Sequence, residues 1–176
     1  MLAAMMLTAN EAVVVARADK EQLYLAYNVW YEHRGMIYSA NYKKGDFVPA
    51  GTAVKRITRT SDHVRFKDSA SGRKYYIHFV QRHHPGRQYQ TIYNRLLTTK
   101  NFDALTAGFS EEDLGAIRDG TIRVGMAKAA VLVSQGYPPE SKTPALSSRV
   151  WKYWRSRFDT FDVYFDDDGF VSKIVD

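Results

Sequence analysis

The stretch Val124-Gly125-Met126-Ala127-Lys128 opens the part of the sequence that best determines the fold, residues 122–176. Four apolar side chains follow at helical spacing and therefore share one face of a helix: Met126, Ala129, Ala130 and Val133. Gly136 and the two prolines after Tyr137 end this helix. Upstream, Ser110 followed by three acidic residues predicts the N-cap and first turn of a second helix, which Asp119-Gly120 ends.

From Arg149 onward the apolar spacing changes from helical to alternating. The bulky residues of 150–154 predict one strand, and Phe161, Val163 and Phe165, alternating with polar residues, predict a second. Asp167-Asp168-Gly169 predicts a tight hairpin turn into a return strand over 170–175. Residues 101–176 are thus predicted to form an α-α-β-β-β domain, in which two helices cover one face of an antiparallel sheet.

This part of the chain resembles the SmpA/OmlA family, small outer-membrane lipoproteins of the β-barrel assembly machinery whose fold is shared with β-lactamase inhibitor-like domains. The resemblance covers about a third of the sequence, and these residues carry it: Gly125, Met126, Lys128, Val131, Gly136-Tyr137-Pro138, Trp151-Lys152-Tyr153, Phe161, Val163, Phe165, Asp166, Gly169 and Val171. Three departures are evident. Ala127 replaces the family's helix-capping Thr, the loop over 138–148 is longer, and the chain has no Cys to accept a lipid.

By that resemblance the protein is a non-enzymatic scaffold on the periplasmic side of the cell envelope. It would bind another envelope protein, or the anionic surface of the wall or of lipid, without a transmembrane span. The cluster of rings and guanidinium groups after Tyr153 supplies the expected partner contacts, Trp154, Arg155 and Arg157. In a strand, Trp151 and Tyr153 face one way and Trp154 the other, so one of these aromatic sets lies outside the main core.

The composition limits the number of domains, the kinds of site and the kind of partner that the sequence can have. The 176 residues suit one medium domain or two small ones, and a hydrophobic content of 45% is ample for a packed core. The absence of Cys excludes disulfides, thiol nucleophiles and Cys-based zinc sites, and it leaves the compartment open. Residues 1–100 hold 16 Lys and Arg against 7 Asp and Glu, whereas 101–176 hold 9 against 12. An anionic partner should therefore meet the first part, unless these cations merely solvate its strands.

The first part is predicted to contain three regions. Residues 1–22 form either an N-terminal helix or a signal-like segment, since Ala16-Arg17-Ala18 has the small-x-small pattern of a cleavage site. Residues 23–100 contain short strands and frequent turns, which weakly resemble bacterial SH3-like small barrels, with a bridging helix over 88–99. Val54 and Ile57 cannot share one face of a regular strand, so a bulge or a bend is expected between them.

Few residues in the sequence suggest a catalytic or metal-binding site. His83-His84 lacks a third ligand at metal-site spacing, and the aspartates at 166–168 do not alternate as in a calcium loop, so we expect no metal, no cofactor and no catalytic site. The cations of the first part include three expected to face an anionic surface, Arg56, Arg59 and Lys67. Because aromatic residues are interleaved with them, the alternative hypothesis is a cytoplasmic nucleic-acid-binding module.

Overall fold

The computed structural model describes residues 21–59 and 63–176, with the side chains of 56–59 and 63 outside the description. It is a mixed α+β structure with three sheets and four helices. The predicted helix or signal-like segment over 1–22 lies almost wholly outside the described residues. Along these residues, no helix has the length and apolar character needed to cross a membrane.

From Glu111 onward the C-terminal part has the predicted α-α-β-β-β order, but a further short helix, Phe102–Leu105, precedes it within 101–176. Helices α3 (Glu111–Arg118) and α4 (Lys128–Gln135) precede three antiparallel strands, β9 (Val150–Trp154), β10 (Thr160–Phe165) and β11 (Val171–Val175). The Ser110 hydroxyl caps α3 by accepting a hydrogen bond from the Asp113 amide at 3.2 Å. Ala127 gives α4 no side-chain cap, and the Gly169 carbonyl accepts from the Lys128 amide at 3.0 Å instead.

The core of this part lies between the helices and the sheet. Thirteen buried residues form it, including Ile117, Met126, Trp151, Tyr153 and Val163, each at most 1% exposed. Trp151 and Tyr153 therefore face the core, as their alternation with Lys152 predicts. Trp154 faces the other way and packs with Ala40 and Tyr42 of the first part.

The first part forms an open sheet, so the predicted barrel over residues 23–100 is wrong in its closure. Six strands lie in the order β3-β7-β6-β5-β1-β8, and the two end strands have no neighbour among the described residues. In chain order they are β1 (Leu23–Leu25), β3 (Met36–Tyr38), β5 (Ala53–Arg59), β6 (His63–Asp68), β7 (Lys74–His78) and β8 (Leu97–Thr98). A separate pair is formed by β2 (Val29–Tyr31) and β4 (Asp46–Val48). Helix α1 (Tyr89–Leu96) lies between β7 and β8 in the chain, and helix α2 (Phe102–Leu105) follows β8.

Two local features interrupt the regular strands of the first part. The register between β5 and β6 shifts between Arg56 and Thr58, which confirms the irregularity expected from the spacing of Val54 and Ile57. The apolar alternation from Leu23 to Tyr31 predicts one strand, but the chain forms two separate strands there, β1 and β2, because Asn28 leaves the ladder. The Asn28 side chain accepts from the Ala50 amide at 2.8 Å and donates to the Ile117 carbonyl at 2.7 Å.

Buried polar contacts join the two parts of the chain. The Asn28 amide donates to the Val133 carbonyl at 3.0 Å, and the Asn41 carboxamide donates to the Gln135 carbonyl at 3.0 Å. Gly136 ends α4 at φ 76°, and a Cβ there would lie 2.7 Å from the Tyr27 ring. A larger residue at 136 would push the two parts of the chain apart.

Candidate functional site

The outer face of the six-stranded sheet is basic. Strand β7 alternates between the two faces, with Tyr75 and Ile77 buried in the core and Lys74, Tyr76 and His78 directed outward. In the antiparallel register, Lys55 lies opposite Lys67, and Lys67 lies opposite Lys74. These three residues, the lysine row, therefore lie side by side on one face of three neighbouring strands.

Lys67, predicted to face an anionic surface, is the middle member of this row. The side chains of the other two predicted residues, Arg56 and Arg59, lie outside the description, and only their backbone pairing with β6 is known. Lys55 and Lys74 belong to the same row. The sequence places both among the cations of the nucleic-acid-binding alternative, but only the pairing of three strands shows that they lie beside Lys67.

A groove of about 510 Å³ lies where this sheet approaches the turn between β9 and β10. Its walls come from three separate segments of the chain: Glu32, Tyr38, Tyr42 and Lys44; His78, Val80 and Arg82; and Ser156, Arg157 and Phe158. The volume lies within the range of sites that hold small ligands or a few residues of a peptide.

The groove carries more positive than negative charge. Lys44 lies 3.8 Å from Glu32, the acidic residue of the lining, and its side chain is 63% exposed. Arg82 and Arg157 have no carboxylate partner within 4 Å in the described part of the chain. Two guanidinium groups are thus free to bind an anion that enters the groove.

Phe158 is the most exposed large apolar residue of the described chain, at 91%. It follows Arg157 at the tip of the β9–β10 hairpin, and the Arg157 guanidinium lies 5.7 Å from the centre of its ring. Sequence reasoning selected Arg157 but missed Phe158. The pattern that could have identified it is a Phe between two predicted strands, where a turn leaves no core for it to enter.

The three predicted partner contacts occupy different environments. Trp154 is 7% exposed, and its ring lies 5.1 Å from that of His83. Arg155 forms ion pairs with Asp159 and Asp176, and the hydrogen bond that its guanidinium donates to Asp176 raises the pKa of Arg155. Arg157 lines the groove. A direct contact of each with a partner stays a prediction, for which Arg157 is best placed.

A buried ionic cluster lies behind the groove, between the two parts of the chain. Glu140, from the proline-rich loop, lies 2.7 Å from Nδ1 of His84 and also accepts from Arg95, while Arg87 lies 3.8 Å away. Burial by itself would raise the pKa of Glu140, but the hydrogen bonds from His84 and Arg95 outweigh burial and lower it. Glu140 is therefore ionised at neutral pH and holds the loop against the first part.

Ser39, His84 and Glu140 have the connectivity of a serine-hydrolase triad. Ser39 Oγ lies 3.0 Å from Nε2 of His84, whose Nδ1 faces Glu140. Ser39 nevertheless continues β3 on the side of buried Ile37, opposite to Tyr38, and does not line the groove. Its Oγ also accepts from the Val80 amide at 2.9 Å. His84 thus links Ser39 of the first part to Glu140 of the proline-rich loop.

His83 faces a different environment from its neighbour. Its Nε2 lies 2.8 Å from the Tyr42 hydroxyl, and only 6% of the residue is exposed. Burial, assisted by the nearby Arg82 and His84, lowers the pKa of His83 to about 4. A neutral imidazole whose Nε2 accepts a hydrogen bond from the Tyr42 hydroxyl fits this position.

The two histidines therefore do not form a metal site together. Within 21–59 and 63–176, no group of three or more His, Asp or Glu residues is arranged to hold a metal ion. Comparison with protein-family models, with curated proteins and with solved structures finds no match to this chain. The site must be interpreted from its own geometry.

Proposed function

We propose that the protein is a non-enzymatic interaction module whose groove binds an acidic segment of a partner protein. The observation that carries the proposal is Phe158, 91% exposed at the rim of a groove with two guanidinium groups that lack a carboxylate partner among the described residues. Aromatic residues and Arg are enriched among the residues that dominate binding energy at protein interfaces.

The groove offers two kinds of contact to such a segment. Arg82 and Arg157 are suited to bidentate hydrogen bonds with carboxylates, which Lys44 supplements as a compact positive charge. Phe158, Tyr38 and Tyr42 offer apolar surface to a side chain between those carboxylates. The preferred ligand is therefore an acidic segment that also contains an apolar or aromatic residue.

The cell envelope, on the periplasmic side, is the proposed location, and its support is the resemblance of residues 122–175 to the SmpA/OmlA family. The α-α-β-β-β order of the C-terminal part is compatible with that family and with its β-lactamase inhibitor-like fold. A scaffold role would require no catalytic group of its own. Fractionation of the native cell tests the location, and recovery in the cytoplasm alone would refute it.

The groove is tested by selection from a library of random peptides displayed on phage. We expect the selected peptides to be rich in Asp and Glu around one apolar position, and to bind the purified protein at micromolar concentration. Binding should fall at least about tenfold when Phe158→Ser and Arg157→Gln are combined, as for an interface centred on these residues.

The matched control combines Phe170→Ser with Arg149→Gln. These residues are also exposed, and they lie at the opposite end of the same three-stranded sheet. The control should bind the selected peptides as the unchanged protein does. Equal losses in both double variants, or peptides without acidic residues, would refute the proposed groove.

A further inference from the structure

The outer face of the six-stranded sheet is a second surface, and its side chains form three rows across the strands. The first is the lysine row, Lys55, Lys67 and Lys74. The second contains Arg65, Tyr76 and Met36, and the third contains His78 and Tyr38. None of the residues in these three rows is an Asp or a Glu, and Glu32, which forms a bridge with Met36, lies at the β3 edge of this face.

The lysine row opposes the stability of the sheet. Like charges directly opposite each other on neighbouring strands repel, and no described carboxylate lies within 4 Å of any of the three ammonium groups. Lys55 and Lys74 are exposed and Lys67 is half-buried. An anionic ligand lying across the strands would neutralise this repulsion.

The neighbouring rows define the kind of anion. Tyr76 and Tyr38 are half-buried, and His78, which lies edge-on to Tyr38 with ring centres 6.0 Å apart, is exposed. Three of the four Lys and Arg side chains in these rows thus lie in one row, and the rings lie in the next two, with Arg65 beside Tyr76. Single-stranded nucleic acid has the same division, since its phosphates lie along one edge and its unpaired bases, which stack on aromatic side chains, project from the other.

A lipid bilayer matches this arrangement less well. It presents phosphates over its whole surface and would be matched by cations spread evenly across the face, whereas here three of the four lie in one row. A nucleic acid duplex hides the faces of its bases, so Tyr76 and Tyr38 would contribute little to binding it.

We infer that the outer face of the six-stranded sheet binds single-stranded nucleic acid, with phosphates on the lysine row and bases on Tyr76, Tyr38 and His78. This inference goes beyond the proposed function. The lysine row and Tyr76 lie outside the groove, whereas Tyr38 and His78 also line it. Phe158 and Arg157 have no part in this binding.

The test measures the binding of fluorescent oligo(dT) and oligo(U) of about 12 nucleotides, a length within the site sizes of single-strand binding domains. Replacing Lys55, Lys67 and Lys74 together by Gln should abolish measurable binding at physiological salt. If residual binding can be measured at low salt, the slope of log K against log salt should be less steep by about 2. Each lost phosphate contact removes about 0.7 released counterions, and the variant loses three such contacts.

Two controls separate this surface from general charge and general aromaticity. Lys100→Gln, Lys142→Gln and Lys173→Gln, all exposed in the structure, remove the same net charge elsewhere and should leave most of the binding. Tyr76→Leu should weaken binding about 5-fold to 100-fold through the loss of stacking, whereas Tyr164→Leu, half-buried on β10, should not.

The melting temperature distinguishes a variant that has lost only the binding surface from one that no longer folds. The variant without the lysine row should melt at the same temperature as the unchanged protein or above it, because repulsion is removed. The inference is overturned if the oligonucleotides do not bind at low salt, if both lysine triple variants lose binding equally, or if vesicles containing about a third anionic lipid bind while oligonucleotides do not.

Discussion

The titration of His83 offers a quantitative test of how the two parts of the chain pack together. His83 is buried between Tyr42 and Trp154, and its pKa is lowered from 6.5 to about 4. As the pH falls, the unfolded chain takes up a proton on His83 before the folded chain does. The contribution is thus fully present above pH 6.5 and is lost as the pH falls toward 4.

The expected size follows from the two pKa values. Between pH 7 and pH 5 the free energy of unfolding should fall by about 2 kcal/mol because of His83 alone. Glu140 adds little in this range, because its pKa is lowered and it titrates at more acidic pH. The window therefore separates the contribution of the His83 imidazole from that of the Glu140 carboxylate.

The matched variant combines His83→Phe with Tyr42→Phe. Replacing both hydrogen-bonding partners by apolar groups of similar shape is close to neutral, whereas His83→Phe alone leaves the Tyr42 hydroxyl unsatisfied and costs about 1–3 kcal/mol. Urea denaturation at pH 5, 6 and 7, followed by tryptophan fluorescence, gives the comparison. The double variant should lack the loss of about 2 kcal/mol. Parallel loss in both proteins would refute the buried, neutral imidazole.

Three further substitutions test the polar contacts between the two parts. Burial lowers the pKa of Lys43 well below its usual value, so the Lys43→Met variant should have a higher melting temperature than the unchanged protein. Its free energy of unfolding should also rise less between neutral pH and pH 10. A fall in melting temperature would contradict this prediction. Glu140→Gln should cost about 3 kcal/mol at pH 7, and it should remove the part of the acid-induced loss below pH 4.5 that Glu140 causes; unchanged stability in urea denaturation would show that the buried cluster is dispensable. Asn28→Leu leaves the Ala50 amide and the Ile117 carbonyl unpaired and should cost about 4 kcal/mol by the same assay, whereas a loss below 1 kcal/mol would contradict the account.

The prediction for Lys43 depends on what remains after its removal. The Gln135 carbonyl, which accepts from Lys43 Nζ, also accepts from the Asn41 carboxamide at 3.0 Å, so it keeps a partner in the Met variant. The ammonium group lies 4.1 Å from the centre of the Trp30 ring. That attraction offsets part of the burial cost, and the measured change gives the balance between the two effects.

The C-terminal part could be predicted from sequence because its elements are determined locally. The apolar stripe of α4, the Ser110 cap and the alternation of β10 each occur within about ten residues, and the turn at Asp166 needs only Asp and Gly. The first part could not be predicted in the same way. The strand after Leu23 divides because Asn28 binds the backbone of Ala50 and Ile117, which are distant in sequence.

The candidate surfaces show the same limit. Arg157 was selected because it lies in a dense aromatic and basic segment, but its neighbours in the groove, such as Arg82 and Tyr38, come from far along the chain. Lys67 was selected from the charge of the first part. Its position between Lys55 and Lys74 depends on the strand register, and that register includes a bulge in β5. The sequence predicts the bulge but not which residues lie opposite each other on either side of it.

The groove is tested most directly by titrating isotopically labelled protein with a selected acidic peptide and following the backbone amide resonances. The account predicts that the largest shifts fall in the three segments that line the groove, 32–44, 78–82 and 156–158. In the Phe158→Ser, Arg157→Gln variant the same shifts should require at least about tenfold more peptide. Shifts centred on another surface, or an unchanged titration of that variant, would contradict it.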